Sequence, residues 1–301
     1  MIVKEQPSGW TLFFEMQGSV VPQIIGKIVG FTAFSVAVMF LDDVVAFVPS
    51  VSLTAMSVFG IALSLFLGFR NNAAYERWWE GRKLWGGIIS EIRNLAKICD
   101  MFVPDMAPRK TILDAAVAFA HFHRGTLRRV DVTKDAAPWI GAESAAQLAG
   151  KTNSADAALR TISETVRQLQ AKDQITGFAQ LAFAKIILSL GRHQAGCERI
   201  ASTPLPFVYS LLIRRTTYLY CLLLPFALLE AAGPFVPFFV AVVAYVFFGL
   251  QAVTNELEHP FRAIKNGLPL DAMCRLIEVS AAEATDRTPP PALSATDHVL
   301  T

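Results

Sequence analysis

Four long apolar runs, each bounded by charge or proline, organise this chain. The second is the clearest. Residues 51–69 (VSLTAMSVFGIALSLFLGF) carry no charge, and as a helix they rise about 28 Å, close to the thickness of a bilayer core. Arg70 ends the run, and the chain continues without proline as RNNAAYERWWEGRKLWGGIISEIRNLA. There Tyr75, Trp78, Trp85, Ile89, Ile92 and Leu95 recur at helical spacing, while Glu76, Arg77, Glu80, Lys83 and Glu91 fill the other sides. That pattern predicts an amphipathic helix packed against protein. One helix therefore leaves the membrane and continues into water. Ile61, Leu65 and Phe69 fall at i, i+4 and i+8 and share one face. Copies of the chain around an axis would stack that face into apolar rings; the alternative is a face turned to lipid or to a neighbouring helix.

The other runs are read the same way. The first covers about 24–41, has Lys27 near its start and ends at Asp42 and Asp43. A lysine there can reach the interface with its ammonium group. Before it, QPSGWTLFFEMQG brings Trp10, Phe13 and Phe14 to headgroup level. The third covers about 218–229, with an extension back to 208 interrupted by Arg214 and Arg215. Gly233, Pro234 and Pro237 make a turn, and the fourth run is 235–253. Between the second and third lies the largest polar region. It carries helical periodicity over 111–129, 155–172 and 178–200, with breaks at Pro104, Pro108, 131–138 and Asp173, and almost no strand alternation.

The predicted fold class is thus an all-α membrane protein, with four transmembrane helices and a cytosolic helical bundle in each subunit. Its parts are residues 1–69 (N-terminal segment and first two spans), 70–207 (cytosolic helical region), 208–254 (last two spans) and 255–301. Within the last part, 281–301 contains Pro289, Pro290 and Pro291 and is expected to lack fixed structure.

Composition agrees. The 301 residues are 53% hydrophobic and 17% charged, below the roughly 25% charge of a soluble domain. Net charge +2 argues against a nucleic-acid partner. The hairpin loops 42–50 and 230–237 have no lysine or arginine, whereas the middle region is rich in both close to the spans. The positive-inside rule places the middle region and both termini in the cytoplasm. The mixed, polar start gives no expectation of a cleavable leader.

Catalytic signatures are missing. There is no P-loop, dinucleotide fingerprint, G-x-S-x-G or H-E-x-x-H. Cys99, Cys197, Cys221 and Cys274 are far apart, and Cys221, within an apolar run, reads as a packed hydrophobe. His121, His123, His193, His259 and His298 all lie outside the apolar spans. His121 and His123 would point to different sides of a helix and read as surface histidines rather than a metal site. Spans two and four contain no acidic or basic residue, so a proton relay lacks its usual raw material. A channel works with apolar rings and rim charges alone.

Three blocks carry a resemblance: FLGFRNNAAYERWWEGRKLWG (66–86), GCERIASTPLPFVYSLLIRRTTYLYCLLLPF (196–226) and NELEHPFRAIKNGLPLDAMC (255–274). Together the chain resembles a prokaryotic member of the bestrophin family; residues 105–170 and the tail contribute little to the likeness. The resemblance implies a homopentameric ion channel in the bacterial inner membrane, with itself, lipids and small monovalent ions as partners and one pore on the fivefold axis. It matches the family's pore neck to Ile61, Leu65 and Phe69, and the cytosolic aperture to Ile175 in DQITGF. It implies Arg70, Asn71, Tyr75, Glu76, Trp78, Glu80 and Arg82 as packing and charge-pairing residues below the neck.

An apolar neck can gate by dewetting. Aromatic edges at Phe69 would favour anions and faces would favour cations. A chloride channel is what the family's animal members imply, and a sodium-selective channel of the same architecture is the alternative. The calcium clasp of animal bestrophins is the main departure, since in HPFRAIKNG Arg262 and Lys265 stand where acid would help. No cofactor is expected, with calcium as the alternative. Glu256, Glu258 and Asp271 are the candidate carboxylates should a cation bind, and otherwise read as surface ion pairs. A membrane-anchored scaffold is the remaining reading; an enzyme has no constellation behind it.

Overall fold

A computed structural model describes residues 1–3, 15–45 and 51–301. The expected interfacial aromatics Trp10, Phe13 and Phe14, and most of the first hairpin loop, lie outside the described residues. Those described are helical, with isolated bridges Ile2–Val299 and Thr296–Val299 and no strand.

The helices are α1 (Val21–Val45), α2 (Leu53–Phe102), α3 (Met106–Arg128), α4 (Thr133–Ile140), α5 (Ala142–Ala149), α6 (Ser154–Ala171), α7 (Gly177–Ser202), α8 (Phe207–Ala232), α9 (Val236–Leu257) and α10 (Leu270–Glu283), with a 3-10 turn Gly233–Phe235 between α8 and α9. The predicted helix that continues past Arg70 is present as α2, 50 residues long. Among the described residues, three stretches are long and apolar enough to cross a membrane: Val21–Val44, Leu53–Phe102 and Phe207–Leu257. The third holds two helices, α8 and α9.

The chain divides into two compact units. An apolar unit takes in 5–78 and 204–259, and a polar unit 1–4, 79–203 and 260–301.

In the apolar unit, Met56, Leu63 and Leu67 of α2 pack against Ile213, Tyr220 and Leu224 of α8 and Val240 and Phe247 of α9. Gly60 is required here: a Cβ would stand 2.7 Å from the Tyr220 hydroxyl, and the Tyr220 ring is edge-on to Phe59 and Phe247. A second cluster joins Ile24 of α1 to Cys221 of α8 and to Ala244, Phe248 and Ala252 of α9. Cys221 is fully buried, the small packed hydrophobe its apolar run predicts.

In the polar unit, α3 is central. It packs against α4, α6, α7 and α10, and nearly every residue from Ile112 to His123 is buried. Between Ile112 and Ala120 its residues are apolar on every side except at Asp114, and such a segment belongs inside. Asn153 caps α6 by accepting the Asp156 N–H, and Thr176 caps α7 by accepting that of Ala179. The predicted break at 131–138 is instead largely the short helix α4, with Pro138 inside it. Pro108 sits in the first turn of α3, where its missing N–H costs nothing.

The tail also differs from its predicted lack of structure. Residues 281–283 are the last of α10. Beyond them Arg287 pairs with the buried Asp114 and lies over the Trp139 ring, and Thr301 O accepts the Ala272 N–H. Proline content predicts a chain that cannot be helical; it says nothing of the ion pairs that fix an extended one.

Candidate functional site

The neck candidates share one side of α2. Ile61, Leu65 and Phe69 are 71%, 56% and 55% exposed, whereas Leu63 and Leu67 between them are 3% and 1% exposed. The stripe is thus the face of the helix that the subunit's own packing leaves uncovered. Such a face presents side chains without charge or hydrogen-bonding capacity, the kind of surface that holds or expels water where it lines a constriction.

Just beyond Phe69 the inward face of α2 turns polar. Arg70, almost fully buried, donates from Nη2 to Glu258 Oε2 at 3.2 Å and to Asn255 Oδ1 at 3.4 Å. Glu258 follows α9, and its other oxygen accepts the backbone N–H of Leu205, in the segment entering α8, at 3.1 Å. Thr254 of α9 donates to Asn71 Oδ1 at 3.4 Å. Glu258 is 6% exposed, so the reading of it as a surface pair is corrected: the site is a buried, charge-assisted contact joining three segments. The sequence signal was present, since the Arg70 position falls on the same side as Leu63 and Leu67, but nothing in spacing named its partner.

The other candidate carboxylates are also engaged. Glu256 accepts from Gln23 Nε2 at 2.8 Å. Asp271, in the polar unit, takes Arg124 at 2.7 Å and Arg128 at 2.6 Å. Burial would raise the Asp271 pKa, but the guanidinium groups outweigh it and hold the carboxyl below its ordinary range. Among the described residues, no three of His, Cys, Asp and Glu come together as a metal site would need. Ile175 is buried in the turn between α6 and α7, just before the Thr176 cap.

His121 and His123 are not the surface histidines their spacing predicts; both are buried. His121 Nε2 is 2.8 Å from Glu278 of α10, and Arg275 also pairs with Glu278. His123 is stacked between Trp85 and Phe119, and burial pulls its pKa down to about 3. Their two-residue spacing does send them to different surroundings. An Ala- and His-containing helix fits a half-exposed place equally well, but α3 is packed against four neighbouring helices.

With this geometry in place, comparison with known proteins is decisive. The family model for the bacterial/fungal bestrophin protein matches residues 1–283. The chain belongs to the bestrophin family. A voltage-dependent anion channel-forming protein of Mesorhizobium japonicum is 43% identical to this bestrophin over 300 residues, covering 98% of this chain and 96% of that one. The voltage-dependent anion channel-forming protein YneE of Escherichia coli K12 is 33% identical over 293 residues, covering 97% and 96%. A crystal structure of a bacterial bestrophin homologue from Klebsiella pneumoniae superposes with a TM-score of 0.84 at 30% identity, over 88% of this bestrophin and all of that chain. The helical architecture described above is therefore that of the family's solved structures.

Proposed function

We propose that this bestrophin is one subunit of a homopentameric channel for small monovalent anions, and not an enzyme. In this reading α1, the first part of α2, α8 and α9 make four transmembrane helices. Residues 70–207 and 255–301 are cytosolic, as are both termini, and the membrane is the bacterial inner membrane. The parts are those expected from the pattern: 1–69, 70–207, 208–254 and 255–301. Ile61, Leu65 and Phe69 form the neck, and Ile175 the second, cytosolic constriction.

The observation that carries the reading is the apolar stripe on α2, left uncovered while Leu63 and Leu67 of the same helix are packed. The names of the relatives support the anion part, since those proteins are called anion channel-forming. Purified protein in a planar bilayer under a tenfold sodium chloride gradient tests it. The chloride and sodium equilibrium potentials then lie about 59 mV on opposite sides of zero. Reversal near the chloride value is expected. Reversal near the sodium value would overturn anion selectivity, and the absence of any current across repeated reconstitutions would overturn the channel.

A further inference from the structure

We propose that the buried Arg70–Glu258 pair positions the neck, setting how Phe69 is presented; the inference rests on the neck reading above. Phe69 and Arg70 are consecutive on α2, so their side chains leave the helix about 100° apart. Drawing Arg70 inward turns Phe69 outward. Arg70 and Asn71 bond to Asn255, Glu258 and Thr254 at the end of α9. Glu258 also accepts from the Leu205 N–H. A single carboxylate therefore ties the turn of α2 below Phe69 to the end of α9 and to the chain entering α8.

Both charges are buried, and neither finds an equivalent partner in water-free surroundings once the other is removed. The pair holds α2 against rotation about its own axis at the point where rotation would change the ring facing the axis. A neutral pair of the same size would keep the contact but not its pull. Arg70 here supplies the fixed positive charge beside this carboxylate, so the joint needs no bound ion to draw the segments together.

The test uses Phe69→Cys protein. The native thiols at Cys99, Cys197, Cys221 and Cys274 are all buried, which keeps background labelling low. A small charged methanethiosulfonate reagent is applied to channels in liposomes, and the rate of chloride-flux block gives the reactivity of the introduced thiol. First, block must occur at all: if labelling leaves flux unchanged, the neck reading fails and this inference with it. Given block, adding Glu258→Gln or Arg70→Gln is expected to change its rate by about tenfold, while a change within about twofold in variants that still elute as the native assembly would overturn the inference.

The double variant Arg70→Gln/Glu258→Gln distinguishes positioning from general loosening. If the two residues act as one device, its effect is smaller than the product of the single effects. Strictly multiplicative effects would overturn the pairing. Should a single variant fail to assemble, the double variant carries the test: native reactivity of the thiol in that background would overturn the inference, and altered reactivity would support it.

Discussion

Leu65 and Leu67 make a matched pair. They have the same side chain, stand two residues apart on α2, and point to opposite sides of it. Leu67 is 1% exposed and packs in the cluster with α8 and α9, whereas Leu65 is 56% exposed. Consider Leu→Ala at each. For Leu67 the hydrophobic transfer term largely drops out, because lipid tails are as apolar as leucine. What remains is the void: roughly 100 Å³ at about 24 cal/mol per Å³ gives about 2.4 kcal/mol. For Leu65 the subunit loses almost no packing, so its stability should stay within about 0.5 kcal/mol, while ion flux changes because a neck ring is gone. The assay is unfolding in mixed micelles followed by tryptophan fluorescence, paired with chloride flux from liposomes. A destabilised Leu65→Ala beside a silent Leu67→Ala would refute the facing of α2. Unchanged flux in Leu65→Ala would refute its place in the neck.

Two further predictions concern the polar unit. Replacing Asp271 by Asn removes the carboxylate held by Arg124 and Arg128. Its side chain is 28% exposed, so after allowance for solvent screening the loss should be about 2 kcal/mol near neutral pH. Because Arg124 and Arg128 hold the folded carboxyl below its ordinary range, its stabilisation is fully present above the unfolded carboxyl's pKa and disappears as pH falls through the folded value. Thermal midpoints of native protein and variant should therefore converge in acid; a constant gap down to the lowest measurable pH would refute the linkage. Gly87→Ala would bring a Cβ to 2.4 Å from the His193 ring. Overpacking of about 1–3 kcal/mol, less the better helix propensity of alanine, leaves a net loss of about 1 kcal/mol. Adding His193→Ala should restore the thermal midpoint, and no restoration would mean the clash lies elsewhere.

The passage of α2 from apolar run to amphipathic helix was legible because both halves obey the same period and no proline intervenes. The outward position of Ile61, Leu65 and Phe69 relative to Leu63 and Leu67 follows from that period too. Helices α3, α6 and α7 were found within a few residues. Short α4 was not, since a segment ending at Pro138 reads as a break, and α5 falls between the periodic stretches 111–129 and 155–172; two-turn helices owe their existence to packing more than propensity. The burial of His121 and His123 was hidden for a related reason. Periodicity reveals a helix with one covered side, but α3 is covered by four helices at once, and alanine, which dominates it, fits either environment.

The pairings were harder to foresee than the faces. Arg70 and Glu258 are 188 residues apart, and composition around Glu258 suggests an exposed acid beside Arg262 and Lys265. Only the folded chain places its carboxylate against Arg70. This contact strengthens the case for the stripe. An exposed apolar face on one subunit is equally compatible with lipid and with a pore, so exposure by itself does not choose. Rotating α2 to cover Leu65 and Phe69 would, however, expose Leu63 and Leu67, drive a Tyr220-packed Gly60 out of register and tear Arg70 from Glu258. The helix is locked with its stripe outward by apolar packing above and a buried charge pair below. A face fixed outward in this way is available to whatever lies outside the subunit, and under the proposed pentamer that is the lumen shared by five copies.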